Sequence, residues 1–276
     1  MWHRMTYFFG IFIACAYLQS QEEVVDKLSV PLSMPGQEAS VELSLMNGNI
    51  HVSGYSGETI EIVAKTNMKK VNDEKLNKKG REGMFHISAI STALEVEEEN
   101  NKIEIETDSQ NKTVDVYLKV PYKTSLKLSA LHSSIIDVDN VTGELEIDNH
   151  HGSIQLTDIS GSVVANTHHG EITVSFKQID AEKPMSFSSY HKDIDVTFPA
   201  ALKANVKFKT DKGEVFSDYE IIKSEEQAKQ IQEKSRSEKG KYRVRIERAY
   251  YGKINGGGSE IQFNSYHGDI LIRKGE

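Results

Sequence analysis

Histidine is the residue type whose placement in this chain could do chemistry. His132, His150 and His168 recur at intervals of 18 residues, and the last two are each followed by a second histidine, His151 and His169. His191 and His267 take the same place in later Tyr-His pairs. Imidazole nitrogen binds zinc at about 2.0–2.1 Å and also suits copper and nickel. If the repeat stacks unit on unit, histidines in one column lie about 4.8 Å apart at the backbone, close enough to share an ion. The expected metal set is His132, His150, His168, His151 and His169. Asp148, Asn149 and Asn166 stand near enough in sequence to add ligands or orient the rings. Apart from such a divalent transition metal no cofactor is expected. Two plainer readings stand beside this one. A corner ahead of a glycine accepts polar residues, and duplication of a unit copies them into a ladder that binds nothing. Imidazoles packed this closely also repel one another once protonated, so acid would weaken that edge.

Other reactive side chains make weaker patterns. Asp137, Asp139, Asp148 and Asp158 are the acids a glycan-cleaving β-helix enzyme would need, yet they alternate along strands or sit at turns, as solvated residues do. Glycoside hydrolysis requires two carboxylates facing each other across the bond. Ser133 and Ser134 adjoin His132, and adjacency alone makes no triad. Tyr55, Tyr190, Tyr250, Tyr251 and Tyr266 would stack on sugars only if they shared one face. No catalytic residue is assigned, and the chain is not expected to be an enzyme.

The elements that position the histidines follow from the same repeat. Shifting the sequence by 18 also superposes Ile136, Ile154 and Ile172, then Val138, Leu156 and Val174, and lays Gly152 on Gly170. A fixed period near 20 marks a solenoid whose units bury their apolar faces against their neighbours. The fold expected is all-β, a β-solenoid or β-helix-like stack of rungs of about 18 residues, each with two short strands joined by glycine corners. A separated first rung runs through Gly48 and Ile50. Alternating segments at Leu94–Glu98, Lys102–Thr107 and Thr113–Val120 predict an antiparallel meander in the N-terminal part, ended by Pro121. Later copies at Tyr190-His191-Lys192 and Asp211-Lys212-Gly213 are less regular, and Tyr266-His267-Gly268 is expected to cap the stack. Two charged insertions, at about 67–83 and 222–239, interrupt the pattern. The first reads as a solvated loop and the second as an exposed helix or mobile loop.

Length and charge narrow the classes. The 276 residues carry a formal charge of -8, and a nucleic-acid partner would require a clustered basic surface instead. Residues 1–20 open with His3 and Arg4, continue through an apolar run from Thr6 to Leu18 and turn polar, which reads as a secretory signal peptide. The run is shorter than the roughly 20 residues that span a bilayer, so no transmembrane helix is expected after cleavage. Residues 21–276 then form a single domain. The one cysteine, Cys15, lies inside the leader, and its use as a lipoprotein anchor is the weaker alternative because Phe-Ile-Ala precedes it.

The stretch VYLKVPYKTSLKLSALHSSIIDVDNVTGELEIDNHHGSIQLTDISGSVVANTHHGEITV resembles the bacterial putative-adhesin domain family of unknown function, in which a strand ending Val-Pro leads into repeated Gly-x-Ile-x-Val units. The ending INGGGSEIQFNSYHGDILI is similar to that family's closing strands, and the resemblance covers residues 40–274. It implies an extracytoplasmic β-solenoid and brings no catalytic residues. The expected function is that of an exported, non-catalytic binding or scaffold protein of the bacterial envelope, in the periplasm or at the cell surface, meeting a protein or glycan partner. Self-assembly into homo-oligomers through the end rungs is one alternative, and a glycan-active β-helix enzyme another.

Overall fold

The computed structural model describes residues 23–67, 92–107, 110, 112–132, 135–224, 232–236, 242–246 and 249–275. The leader, nearly all of the first charged insertion, and Ser133 with Ser134 lie outside them. The strands are, in order, β1 (Glu23–Pro31), β2 (Ala39–Asn47), β3 (Ile50–Tyr55), β4 (Thr59–Asn67), β5 (Glu95–Glu99), β6 (Lys102–Glu106), β7 (Val114–Pro121), β8 (Thr124–His132), β9 (Ile135–Asp139), β10 (Thr142–Asn149) and β11 (Ser153–Thr167). There follow β12 (Ile172–Ile179), β13 (Met185–Ser189), β14 (Ile194–Phe198), β15 (Ala204–Thr210), β16 (Val215–Ser217), β17 (Ile221–Lys223), β18 (Gln232–Arg236), β19 (Tyr242–Ile246), β20 (Tyr250–Ile254), β21 (Ser259–Ser265) and β22 (Ile270–Lys274). Among the described residues no helix is long and apolar enough to cross a membrane.

Two ladders of hydrogen-bonded strands make the stack. The first runs β5-β6-β2-β8-β10-β11-β13-β21-β15-β20-β17. The second runs β1-β4-β7-β3-β9-β11-β12-β14-β22-β16. Pairing is parallel through the middle, as expected of a solenoid of copied rungs, and antiparallel at both ends of the first ladder and at the β1 end of the second, which finishes in the parallel pair β22-β16. Inward residues alternate with outward ones, for example Leu145, Ile147 and Asn149 buried on β10 with Glu144, Glu146 and Asp148 outside. The buried side chains of both ladders join in one core. β11 belongs to both ladders. It turns from one to the other at Asp158 and Gly161, whose φ values are 57° and 124°, and a side chain at Gly161 would strike the Gly143 carbonyl.

Four expectations change on this frame. The rung of β21 and β22 does not cap the stack: it is inserted between β13-β14 and β15-β16, so the order in space departs from the order in sequence. The reason lies inside, where Phe263 of β21 stacks between Phe187 and Phe208 at 5.3 and 5.4 Å. In the N-terminal part antiparallel pairing is present as β1-β4-β7 and as the β5-β6 hairpin, but β6 and β7 lie on different ladders and form a rung. The second charged insertion holds no helix where it is described: Gln232–Arg236 pairs antiparallel with Tyr242–Ile246. Finally, His132 does not share a column with His150. The repeat of 18 holds between β9 and β11, but β8 and β10 pair at an offset of 19, Leu126 with Leu145 and Ala130 with Asn149. That register keeps Leu126, Leu128 and Ala130 facing the core, and the extra residue falls between Ala130 and Ile135.

Candidate functional site

The corners that follow β10, β11, β13 and β15 are each closed from beneath by a small polar side chain, buried at Asn149, Thr167 and Ser189 and half-buried at Thr210. Thr167 accepts a hydrogen bond from the Gly170 amide at 3.1 Å and donates to the Gly152 carbonyl at 3.0 Å. Asn149 accepts from the Gly152 amide and donates to the Ser153 carbonyl. Ser189 accepts from the Lys192 amide and shares its one proton between the Lys192 carbonyl at 2.7 Å and the Gly170 carbonyl at 3.2 Å, and Thr210 bridges the Gly213 amide and carbonyl. Buried backbone groups need such partners. Glycine follows because the next rung's backbone passes where a side chain would start: a Cβ on Gly170 would lie 2.0 Å from the Gly152 oxygen. Asn149, expected near the rings, is thus fully buried and serves the backbone.

Above these closures the rings stand in two columns. One holds His150, His168, Tyr190 and Tyr266, with successive centroids 5.2, 4.7 and 4.6 Å apart and planes within 7° of parallel. The Lys212 ammonium sits 5.5 Å above the outer face of Tyr266, a cation-π contact that ends the column. The other column holds His132, His151, His169, His191 and His267. His132 tilts by 33° against His151 at 4.8 Å, and the remaining pairs stack at 5.1, 4.7 and 5.4 Å. Of the five histidines singled out by the sequence, all lie at this corner, His132 one column over. His191 and His267 join by stacking as the motif alignment implied. What sequence reasoning missed was the continuation of the first column by Tyr190 and Tyr266; their Ser-Tyr-His context at matching positions was the signal.

Columns and rows differ in ring geometry. Rings within a column are parallel, so their in-plane lone pairs run side by side. Rings across a row are steeply inclined, 73° between His168 and His169 and 77° between Tyr190 and His191. Ring faces are therefore covered by neighbouring rings, and the edges meet solvent. His151 Nδ1 donates to the Leu131 carbonyl at 2.7 Å and lies 3.2 Å from His150 Nδ1. His168 Nδ1 is buried without a hydrogen-bond partner. Burial, reinforced by the charge of neighbouring histidines, holds His169 and His191 below the ordinary imidazole range. For His169 these neighbours are His168, His191, His151 and His150; for His191 they are His168, His267 and Lys192.

The other candidates do not gather. Asp137 lies 3.5 Å from His51 on the second ladder, Asp158 lies 3.1 Å from Lys177 at the bend of β11, and Asp148 is on the first ladder. Tyr190 and Tyr266 share the ring corner, but Tyr55 bonds Thr59, Tyr250 lies 6.2 Å from Phe208, and Tyr251 lies under Lys207, so the five tyrosines do not gather on one face. A shallow groove of about 820 Å³ over the first ladder is lined by Glu42, Glu104, Glu144, Lys127 and Lys183 among others. Two of its lysines are engaged, Lys127 with Glu42 and Lys183 with Glu144, each at 2.6 Å.

A family model described as Toastrack DUF4097 matches residues 5–249. Among solved structures the chain is similar to a "putative cell adhesion protein" from Clostridium sporogenes, at 13% identity over 93% of this chain and 100% of that one, with a TM-score of 0.45. It is also similar to a "putative adhesin" from Bacteroides fragilis, at 10% identity over 92% of this chain and 98% of that one, with a TM-score of 0.28. No curated protein matches the chain in sequence.

Proposed function

The chain belongs to the Toastrack DUF4097 family, whose name carries an architecture and no activity, and we propose that it acts by display, as an exported, non-catalytic binding or scaffold protein of the bacterial envelope. On this reading residues 21–276 work as one domain after loss of the leader. The observation that carries it is the exposed ring corner, fixed to a rigid stack by buried hydroxyls and amides. Such a corner presents ring edges with nitrogen and hydroxyl groups at a regular spacing, and so favours a partner, protein or glycan, that is met by hydrogen bonds along an extended line. Stacking a sugar on a ring face is disfavoured because the faces are already covered. The scatter of the acidic candidates over both ladders supports the absence of a catalytic role.

Cells producing the full chain with a C-terminal epitope test the export: a processed form recovered with the envelope is expected, and a full-length cytoplasmic form overturns it. Binding of purified protein to envelope preparations tests the corner. The variant H151S/H169S/H191S/H267S is expected to lose binding, and undiminished binding removes the corner from the interaction.

Self-association through the ends is the second reading. Phe216 on β16 and Ile222 on β17 are 50% and 62% exposed at the strands that end the two ladders, whereas β5 at the opposite end carries Glu95, Glu97, Glu98 and Glu99, charges that discourage edge pairing. Light scattering against concentration is expected to show association that F216S/I222S abolishes; a monomer at all concentrations ends this reading.

A further inference from the structure

We propose that His168, His169 and His191 form a binding site for one divalent transition-metal ion of the zinc, copper or nickel class. One ring nitrogen from each lies within 4.8 Å of the other two. Three imidazoles bound to one tetrahedral ion at about 2.0–2.1 Å place their nitrogens roughly 3.3 Å apart. The distance to close is within reach of side-chain torsions, while Thr167 and Ser189 hold the two corners still.

Ring orientation selects this trio from the ladder. His150 and His168 are parallel to within 3°, so a single column offers lone pairs that do not meet. His168 stands at 73° to His169 and 82° to His191, while those two lie 9° apart. Crossing from one column to the other is what makes donors converge. Earlier in the ladder His151 is occupied, its Nδ1 donating to Leu131. At the trio the opposite holds, because His168 Nδ1 is buried and unpartnered. Such an atom carries a desolvation cost that no hydrogen bond offsets. In the Nε2-H tautomer Nδ1 presents a bare lone pair, and a metal bond there satisfies it. An all-imidazole set favours zinc, copper and nickel over magnesium and calcium, which take oxygen ligands. His169 and His191 are exposed, so the remaining coordination positions open to water or to a group from a partner. The site stands independently of where the chain resides, so its failure and that of the display reading are separate results.

Calorimetric titration of zinc, nickel and copper into protein expressed as the full chain, without a histidine tag, tests the site. One equivalent is expected to bind the parent protein. H169N and H191N are expected to weaken binding by at least about tenfold, the scale on which altered metal shells act, with the denaturation midpoint of the metal-free protein unchanged to confirm folding. H132N/H151N is expected to retain parental affinity. No binding to the parent, parental affinity in both H169N and H191N, or loss of binding in H132N/H151N alone would each overturn the assignment.

Discussion

Two ring ladders run along the same strands of this stack, three residues apart. Phe187 and Phe263 stack inside at 5.3 Å, and Tyr190 and Tyr266, just past the ends of those strands, stack outside at 4.6 Å. Backbone spacing produces both, since parallel strands in register bring like residues together. Their environments differ: Phe187 and Phe263 are fully buried and Tyr190 and Tyr266 are exposed. Burying a phenylalanine contributes roughly 1.5–3 kcal/mol, which explains the inner ladder. The outer ladder has no comparable term, so the fold tolerates its rings without needing them.

The sharpest test of that contrast removes a rung. Deletion of residues 259–276 would only shorten the stack if β21 and β22 were a terminal cap. Placed as they are between β13-β14 and β15-β16, their loss strips the pairing from four strands and exposes Phe187 and Phe208. The truncated chain is expected to lose its cooperative unfolding transition, measured by circular dichroism on heating; a transition close to the parental one would return this rung to the end.

Single substitutions then compare the ladders directly. Phe263→Ala leaves a cavity touching two neighbouring rungs and is expected to cost about 3–5 kcal/mol in denaturant titration, while Tyr266→Ala is expected to cost under about 1 kcal/mol. Equal losses would mean that the corner is a structural element like the core. Gly170→Ala addresses the layer between. Its Cβ would meet the Gly152 carbonyl at 2.0 Å, and overpacking of this kind costs about 1–3 kcal/mol. Thr167→Val keeps the shape and removes the corner's hydrogen bonds, leaving the Gly170 amide and Gly152 carbonyl short of a partner. A loss of about 1–3 kcal/mol is expected, and an unchanged midpoint would show that the corners close without it.

Much of this was legible in the sequence, for reasons that also mark where reading stopped. The period of 18 gave strands, glycine corners and the gathering of the histidines, because local alternation and repeated glycines act over a few residues. Register between strands is a long-range choice. The offset of 19 that moves His132 beside His151 differs by one residue from the repeat of 18, and it follows from burying Leu126 and Leu128 rather than from anything near the histidine. The inserted last rung was hidden likewise, although Ser189-Tyr190-His191 and Ser265-Tyr266-His267 match each other better than either matches Thr210-Asp211-Lys212 between them. The insertion at 222–239 reads as an exposed helix or mobile loop from its Glu, Gln and Lys content, and at Gln232–Arg236 pairing with Tyr242–Ile246 outweighs that weak preference. Asn149, Thr167, Ser189, Thr210 and Ser265 form a column of small polar residues in plain sight. Their role emerged only once the backbone groups they bond were in place.

The gentlest way to separate the two ladders is acid, because protons reach the outer one alone. His169 and His191 are held below the ordinary value of 6.5 by burial and by the neighbouring histidines, with Lys192 adding to the second. In the unfolded chain both take up protons near that ordinary value, so between it and the folded values the unfolded state binds more protons. Stability then falls as pH falls. The contribution is fully present above about 6.5 and lost as pH drops through the folded values. Both side chains face solvent, where salt screens their repulsion, so the effect should be smaller than those of the core and corner substitutions. With a chelator present, the denaturation midpoint is expected to decline from pH 7.5 to pH 5, and to decline less in H169N/H191N, whose other neighbours His150, His151, His168 and His267 remain. An identical decline in that variant would show that these two rings do not carry the acid response.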